Sequence, residues 1–317
     1  MFRRLGNVRN ISTANLKRPL YMGPFNSKVV YLGNRDPVTI NSRKTGNKLR
    51  AAVLDWSGTT MDAYVIAPAK VFYDVFEKHN VPITMEEARG PMGLRKDLHI
   101  AEILKIPAVR DRWSAEYGRA PIDSDVDNLF TDFVPMQLNC LRDYTTLLPG
   151  VAEVTRKLQG EYGIKIGVST GFTREMVDVL LEQAIQQGFI PDTTVAGDDV
   201  LTGWRPTPHM IYKNLDKLGY KHPIHTVLKV DDTVGGIGEG LNAGCYTCGL
   251  SRYSNYMNIN TLEEEEELSE EELYQRNIES REKLINAGAH YVIDDMRRLP
   301  EVVEDINRRL ARGERPT

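Results

Sequence analysis

Ala51-Ala52-Val53-Leu54-Asp55-Trp56-Ser57-Gly58-Thr59-Thr60 constrains this chain more than any other stretch. An apolar run of four ends in an acid and then in a turn of small residues. The pattern predicts a buried parallel strand that delivers a carboxylate to its C-terminal edge, where open α/β sheets place their ligands. The turn residues let backbone amides approach an anion closely. A lone Asp after a strand more often caps a turn. Here Gly58-Thr59 follow at fixed spacing and partner segments recur downstream, which points to chemistry.

The 317 residues suggest about two domains, and 41% apolar with 26% charged residues is ordinary for a globular chain. No apolar run approaches the ~18 residues of a membrane span, so no membrane partner is expected. Three cysteines give no even disulfide framework, which favours a reducing compartment. Cys245 and Cys248 form a CxxC by spacing. They fall in a strand pattern where residues three apart face opposite ways, so we read buried thiols rather than a redox or zinc pair. Residues 1–50 carry eleven Lys/Arg against one acid, Asp36, although the whole chain is net −4. An Arg-rich, acid-poor, polar segment without a secretory core describes an organellar transit peptide, with the mitochondrial matrix as destination. A disordered basic arm is the competing reading. Nothing later interleaves basic and aromatic residues, so no nucleic-acid partner is expected.

Residues 1–48 are therefore read as a basic extension, with 29–32 as a possible short strand. After the strand at 51–54, helical patterns cover 67–79 and a segment from Thr84, where Glu87 completes a capping box. Gly90-Pro91 breaks that helix and predicts a new one through Leu104. On it Met92, Lys96 and His99 would share one face, at i, i+4 and i+7. Further helices are expected over 108–120 and 124–143. This all-helical block, 66–147, reads as a cap inserted into an α/β core made of 49–65 and 148–310. In the core, strands are expected at 164–169, 193–196, 226–230, 245–250 and 288–293, with helices between them and a closing helix to Leu310. The fold class is thus a Rossmann-like parallel sheet with an inserted helical cap. The acidic run 263–272 reads as a solvated helix start, since acids favour an N-terminal turn.

Parallel strands would bring four segments together. Asp55 ends the first; Thr170 and the Gly171 amide end the second at a helix start suited to phosphate. Arg205 can pair with phosphate oxygens, and Asp231-Asp232 end a fourth strand. Clustered carboxylates call for a cation, and oxygen ligands beside phosphate chemistry point to Mg²⁺. Its charge would let an anionic phosphate approach an anionic nucleophile.

These segments resemble the haloacid dehalogenase superfamily. Many of its phosphatases carry a second Asp two residues after the nucleophile to protonate the leaving oxygen, and here that position is Ser57. Three blocks resemble the phosphonoacetaldehyde hydrolase (phosphonatase) family more closely: Asp55 through Asp62, Ala88-Arg89-Gly90-Pro91-Met92-Gly93-Leu94-Arg95-Lys96, and Thr170-Gly171-Phe172-Thr173-Arg174-Glu175-Met176. The similarity spans about 50 to 310. It implies that Lys96 forms a Schiff base with a substrate aldehyde, with Met92 and His99 beside it. It further implies Asp55 as nucleophile and Ser57, Thr170, Gly171 and Arg205 around the phosphate. Mg²⁺ would sit on Asp55, Ser57, Asp231 and Asp232, and two copies would dimerise through their caps. An iminium serves as electron sink for a carbon leaving group, so no acid is needed at Ser57. Burial under the cap, Arg89 and Arg95 nearby, and the metal site are expected to lower the Lys96 pKa.

The chain departs from the family at Phe172 for Tyr, Val65 for Cys, and Gly236 where a metal-site Asp is expected, while Asp231 replaces a Gly. The reading carried forward is hydrolysis of the carbon–phosphorus bond of a small phosphonate, phosphonoacetaldehyde. A phosphomonoesterase or other superfamily hydrolase, or a catalytically retired binding protein, are the competitors.

Overall fold

The computed structural model describes residues 27–30, 38–41 and 48–316. Most of the basic extension, with its transit-peptide reading, lies outside them, as do Tyr31 and Leu32. Strands β1 (Ser27–Val30) and β2 (Val38–Asn41) pair antiparallel, Ser27 opposite Asn41. They form a unit of their own.

From residue 48 the chain builds six parallel strands: β3 (Ala51–Leu54), β4 (Lys165–Ser169), β5 (Thr193–Val195), β6 (Val227–Asp231), β7 (Tyr246–Leu250) and β8 (Tyr291–Ile293). Their order is β5-β4-β3-β6-β7-β8. The chain winds outward from β3 to β5, then crosses back to β6 and winds the other way. The strand order therefore reverses between β3 and β6, where such sheets bind ligands. Leu54 pairs with both Val168 and Val230, so Asp55, Ser169 and Asp231 emerge at one level of that edge.

Both faces of the sheet are buried, which explains the unbroken apolar runs. Ala52, Leu54, Val168 and Val230 join the larger core, whereas Ala51, Val53 and Val227 pack on Ile211, Leu215 and Ala243. Cys245 lies on the second face and Cys248 on the first, both free and buried. The CxxC spacing thus splits across the sheet.

Five helices separate β3 from the rest of the core: α1 (Ile66–Lys78), α2 (Met85–Arg89), α3 (Lys96–Lys105), α4 (Pro107–Tyr117) and α5 (Asp123–Leu141). They form the expected insertion. Thr84 and Glu87 make the anticipated capping box at α2. The helix expected from Pro91 is not there: α3 begins at Lys96. Gly93 sits at φ +98, and a Cβ there would approach Thr233 Oγ1 to 2.7 Å. Residues 90–95 instead form turns that drop onto the core. Met92 is therefore not on the Lys96 helix, although both reach the same cavity.

The remaining helices are α6 (Val151–Gly160), α7 (Arg174–Gln186), α8 (His209–Lys217), α9 (Val234–Ala243), α10 (Leu262–Glu267), α11 (Glu270–Asn286) and α12 (Leu299–Ala311). The acidic run divides between α10 and α11, because Ser269 caps a new helix with a Ser269–Glu272 capping box. Among the described residues no helix is long and apolar enough to cross a membrane.

Candidate active site

Asp55, Ser57, Val65, Met92, Gly93, Leu94, Lys96, Thr170, Gly171, Phe172, Arg205 and Thr233 surround one cavity at the β3–β6 edge. The insertion supplies its roof and the sheet its floor. At about 20 Å³ it has room for one water.

The floor is a buried ionic network. Arg205 donates from Nη2 to Asp55 Oδ1 at 2.7 Å and to the Ser169 carbonyl at 2.6 Å, and from Nε to Glu239 Oε2 at 3.0 Å. Lys229 Nζ lies 3.0 Å from Asp231 Oδ2 and donates to Ser169 Oγ at 2.9 Å. Burial works against the Asp231 carboxylate, but Arg205 and Lys229 outweigh it and hold its pKa below the usual range. Burial likewise opposes the Arg205 charge, and Asp231, Asp55 and Glu239 override it. Lys229 and Glu239 were not foreseen. Their signal was a lysine inside an apolar strand, Val227-Leu228-Lys229-Val230, and an acid inside a glycine-rich helix.

Carboxylate oxygens of Asp55, Asp231 and Asp232 lie within 4.8 Å of one another, all buried. Burial raises the Asp55 pKa to about 6, with Asp231 adding to it against Arg205. Burial also raises Asp232 well above its ordinary value, helped by the charges of Asp231 and Asp55. Asp231 Oδ2 lies 3.0 Å from Lys229 Nζ and 3.2 Å from Arg205 Nη2. Three crowded oxygen donors with this mutual repulsion fit a hard divalent cation. Ser57 stands at the same cavity, and its side chain is close enough to Asp62 to lower that carboxyl's pKa against burial.

The roof is different in kind. Lys96 is 5% exposed. Its Nζ sits 4.6 Å from the Phe172 ring centroid and 5.6 Å from that of Phe72. Among the described residues it has no hydrogen bond or ion pair. Burial lowers its pKa to about 8, with Asp55 and Asp62 opposing and Arg205 assisting. The cation that assists is thus Arg205, not Arg89 or Arg95. Arg89 is spent on the Tyr64 and Ile259 carbonyls, and Arg95 on Asp97. His99 lies on α3 but not at the cavity wall. It stacks on Phe72, and its Nε2–H donates to the Ala88 carbonyl at 2.8 Å. Burial, then Lys96, pushes its pKa well below the ordinary histidine value, so the ring is neutral. Asp62 was also missed: it is buried, accepts from the Ala67 amide at 3.1 Å, and burial raises its pKa to about 6 against that bond and Ser57.

Residues 49–244 match the haloacid dehalogenase-like hydrolase family. The chain is 42% identical over 271 residues to a phosphonoacetaldehyde hydrolase of Klebsiella pneumoniae, covering 85% of this chain and all of that one. It is 42% identical over 268 residues to that of Paraburkholderia xenovorans, covering 84% and 99%. This chain belongs to the phosphonoacetaldehyde hydrolase family. The crystal structure of a phosphonoacetaldehyde hydrolase-like protein from Oleispira antarctica superposes with a TM-score of 0.82 at 38% identity, over 86% of this chain and 97% of that one.

Within this hydrolase the departures have physical counterparts. A Cβ on Gly236 would overlap the Asp231 carboxylate, so positions 231 and 236 share one slot. A side chain can occupy it from only one of the two. Phe172 provides the aromatic surface beneath Lys96. Val65, at φ +55, packs with Ala69 and Met92 beside the cavity.

Proposed function

We propose that this hydrolase cleaves the carbon–phosphorus bond of phosphonoacetaldehyde, giving acetaldehyde and phosphate. The observation that carries the reading is Lys96: a buried amine without an ionic partner among the described residues, in the same cavity as Asp55, Thr170 and Arg205. Neutral Lys96 attacks the aldehyde carbon, and the carbinolamine takes up one proton from solvent as water leaves, forming a protonated imine. The Asp55 carboxylate attacks phosphorus in line. As the carbon–phosphorus bond breaks, its electron pair moves into the imine and leaves an enamine on Lys96. Protonation at carbon and hydrolysis free acetaldehyde and the amine, and water hydrolyses the aspartyl phosphate. Arg205, Thr170 and Gly171 orient the phosphonate. Bound Mg²⁺, held by Asp55, Asp231 and Asp232 with Ser57 beside them, would neutralise charge between nucleophile and phosphonate.

Met92 packs beside Lys96 in this reading, and His99 acts behind it as a neutral neighbour. Dimerisation through the caps and import into the mitochondrial matrix complete the proposal. The second rests on the basic, acid-poor composition of residues 1–50 and is checked by fusing them to a fluorescent reporter. Phosphate release measured against phosphonoacetaldehyde and a panel of phosphate monoesters tests the function. Turnover of the phosphonate alone is expected. Preferential hydrolysis of an ester would contradict it and favour the phosphomonoesterase reading.

A further inference from the structure

Two sequence-adjacent pairs meet where the insertion rests on the sheet edge: Arg95-Lys96 and Trp204-Arg205. Lys96 and Arg205 line the cavity. Arg95 and Trp204 meet outside it, with Arg95 Cζ 3.6 Å from the centroid of the indole. Each partner is held from its own side. The Trp204 Nε1–H donates to the Gly197 carbonyl at 3.0 Å. Arg95 Nε donates to Asp97 Oδ1 at 2.6 Å and Nη2 pairs with Oδ2, so the guanidinium plane is fixed by the first turn of α3. The backbone around them is in close contact as well. A Cβ on Gly171 would overlap the Leu94 carbonyl, and one on Gly197 would come within 3.2 Å of Arg95 Cγ.

A cavity of about 20 Å³ cannot admit a phosphonoaldehyde. Its lining comes from both the insertion and the sheet, so it widens for substrate when the seam between them parts, and this stack spans that seam. One peptide unit on each side separates the stack from a cavity residue. We infer that the Arg95–Trp204 stack is the positioning contact that sets Lys96 against Arg205 and Asp55 when the seam closes. The inference rests on the imine role proposed for Lys96. Neither Arg95 nor Trp204 lines the cavity; they act through their chain neighbours. The planar guanidinium matters because it satisfies the Asp97 fork in its plane and the indole with its face. A lysine ammonium cannot do both.

The test uses the full-length enzyme and four variants: Arg95→Ala, Trp204→Ala, their double, and Trp204→Phe. Two quantities are read, the split between kcat and KM for phosphonoacetaldehyde and the yield of borohydride-trapped adduct on Lys96. Each alanine variant should lose on the order of 10- to 100-fold in kcat, the scale of a misplaced reacting group. KM should move less, because the phosphate contacts remain, and adduct yield should fall with kcat. The double variant should be no worse than the poorer single, and Trp204→Phe should recover most of the rate. If Trp204→Ala does not fold, Arg95→Lys carries the same test and should show the same kcat loss. Losses that multiply in the double variant, or a kcat and adduct yield indifferent to both substitutions, would overturn the inference alone. Absence of any adduct in the unaltered enzyme would overturn the imine reading and this inference with it.

Discussion

Lys229 and Lys96 are both buried and both interact electrostatically with Asp55, and the protein treats them oppositely. Lys229 meets Asp231, Glu239 and Ser169 Oγ within 3.3 Å. Lys96 meets two aromatic rings and, among the described residues, no anion within ion-pair distance. A lysine given carboxylate partners is part of the scaffold's charge balance. A lysine buried without them is destabilised as a cation, which is the state the proposed imine chemistry needs. The floor of the site is built to hold charge and the roof to remove it.

The largest expected effect separates the two in activity. Lys96→Arg keeps a cation but not a nucleophile. Loss of phosphonate cleavage should exceed the ~10²–10³ typical of deleting one oxyanion donor, measured as steady-state phosphate release. Stability should divide the other way. Lys229→Met strips Asp231 and Glu239 of a buried partner and should cost ~3–5 kcal/mol in urea unfolding. Lys96→Met leaves no anion unpaired and should cost less than ~1 kcal/mol, or stabilise. Equal costs at both positions would erase the distinction.

The shared slot at 231 and 236 gives a smaller effect. Asp231→Gly should weaken Mg²⁺ binding by at least ~10-fold, read as the shift in thermal midpoint with added Mg²⁺. Gly236→Asp alone should destabilise the fold by overlap with Asp231. The double exchange should recover both, and a double variant as poor as either single would show that the slot is not interchangeable.

The smallest effect is on pH. With a folded pKa of about 8 against an ordinary 10.5, the unfolded chain holds the extra proton on Lys96 between those values. Stability therefore rises with pH across that window, and the rise should be missing in Lys96→Met. Imine formation should gain rate as pH climbs toward about 8, since only the neutral amine attacks. A gain that continues unchanged toward 10.5 would indicate an ordinary solvated lysine.

The core was legible because its signals are local. Every strand of the sheet ends within a residue or two of where the apolar runs stop, and Asp55, Thr170, Arg205 and Asp231-Asp232 do converge. What could not be read depended on three-dimensional neighbours. The i, i+4, i+7 spacing of Met92, Lys96 and His99 looked like a helix face. Gly93 at positive φ, pressed onto Thr233, starts the helix later. Arg89 and Arg95 are near Lys96 in sequence, yet carbonyls and Asp97 occupy them, and Arg205 from the far side of the chain acts instead. Spacing places His99 on the helix of Lys96 but does not say that it packs on Phe72.

Whether the roof holds a nucleophile is tested most directly by reducing the enzyme with borohydride during turnover of phosphonoacetaldehyde and mapping the modified peptide. The two-carbon fragment should be found on Lys96, and still be trapped in Asp55→Ala, because the proposed sequence puts imine formation before attack on phosphorus. An unmodified Lys96, together with normal phosphonate cleavage by Lys96→Arg, would contradict the account.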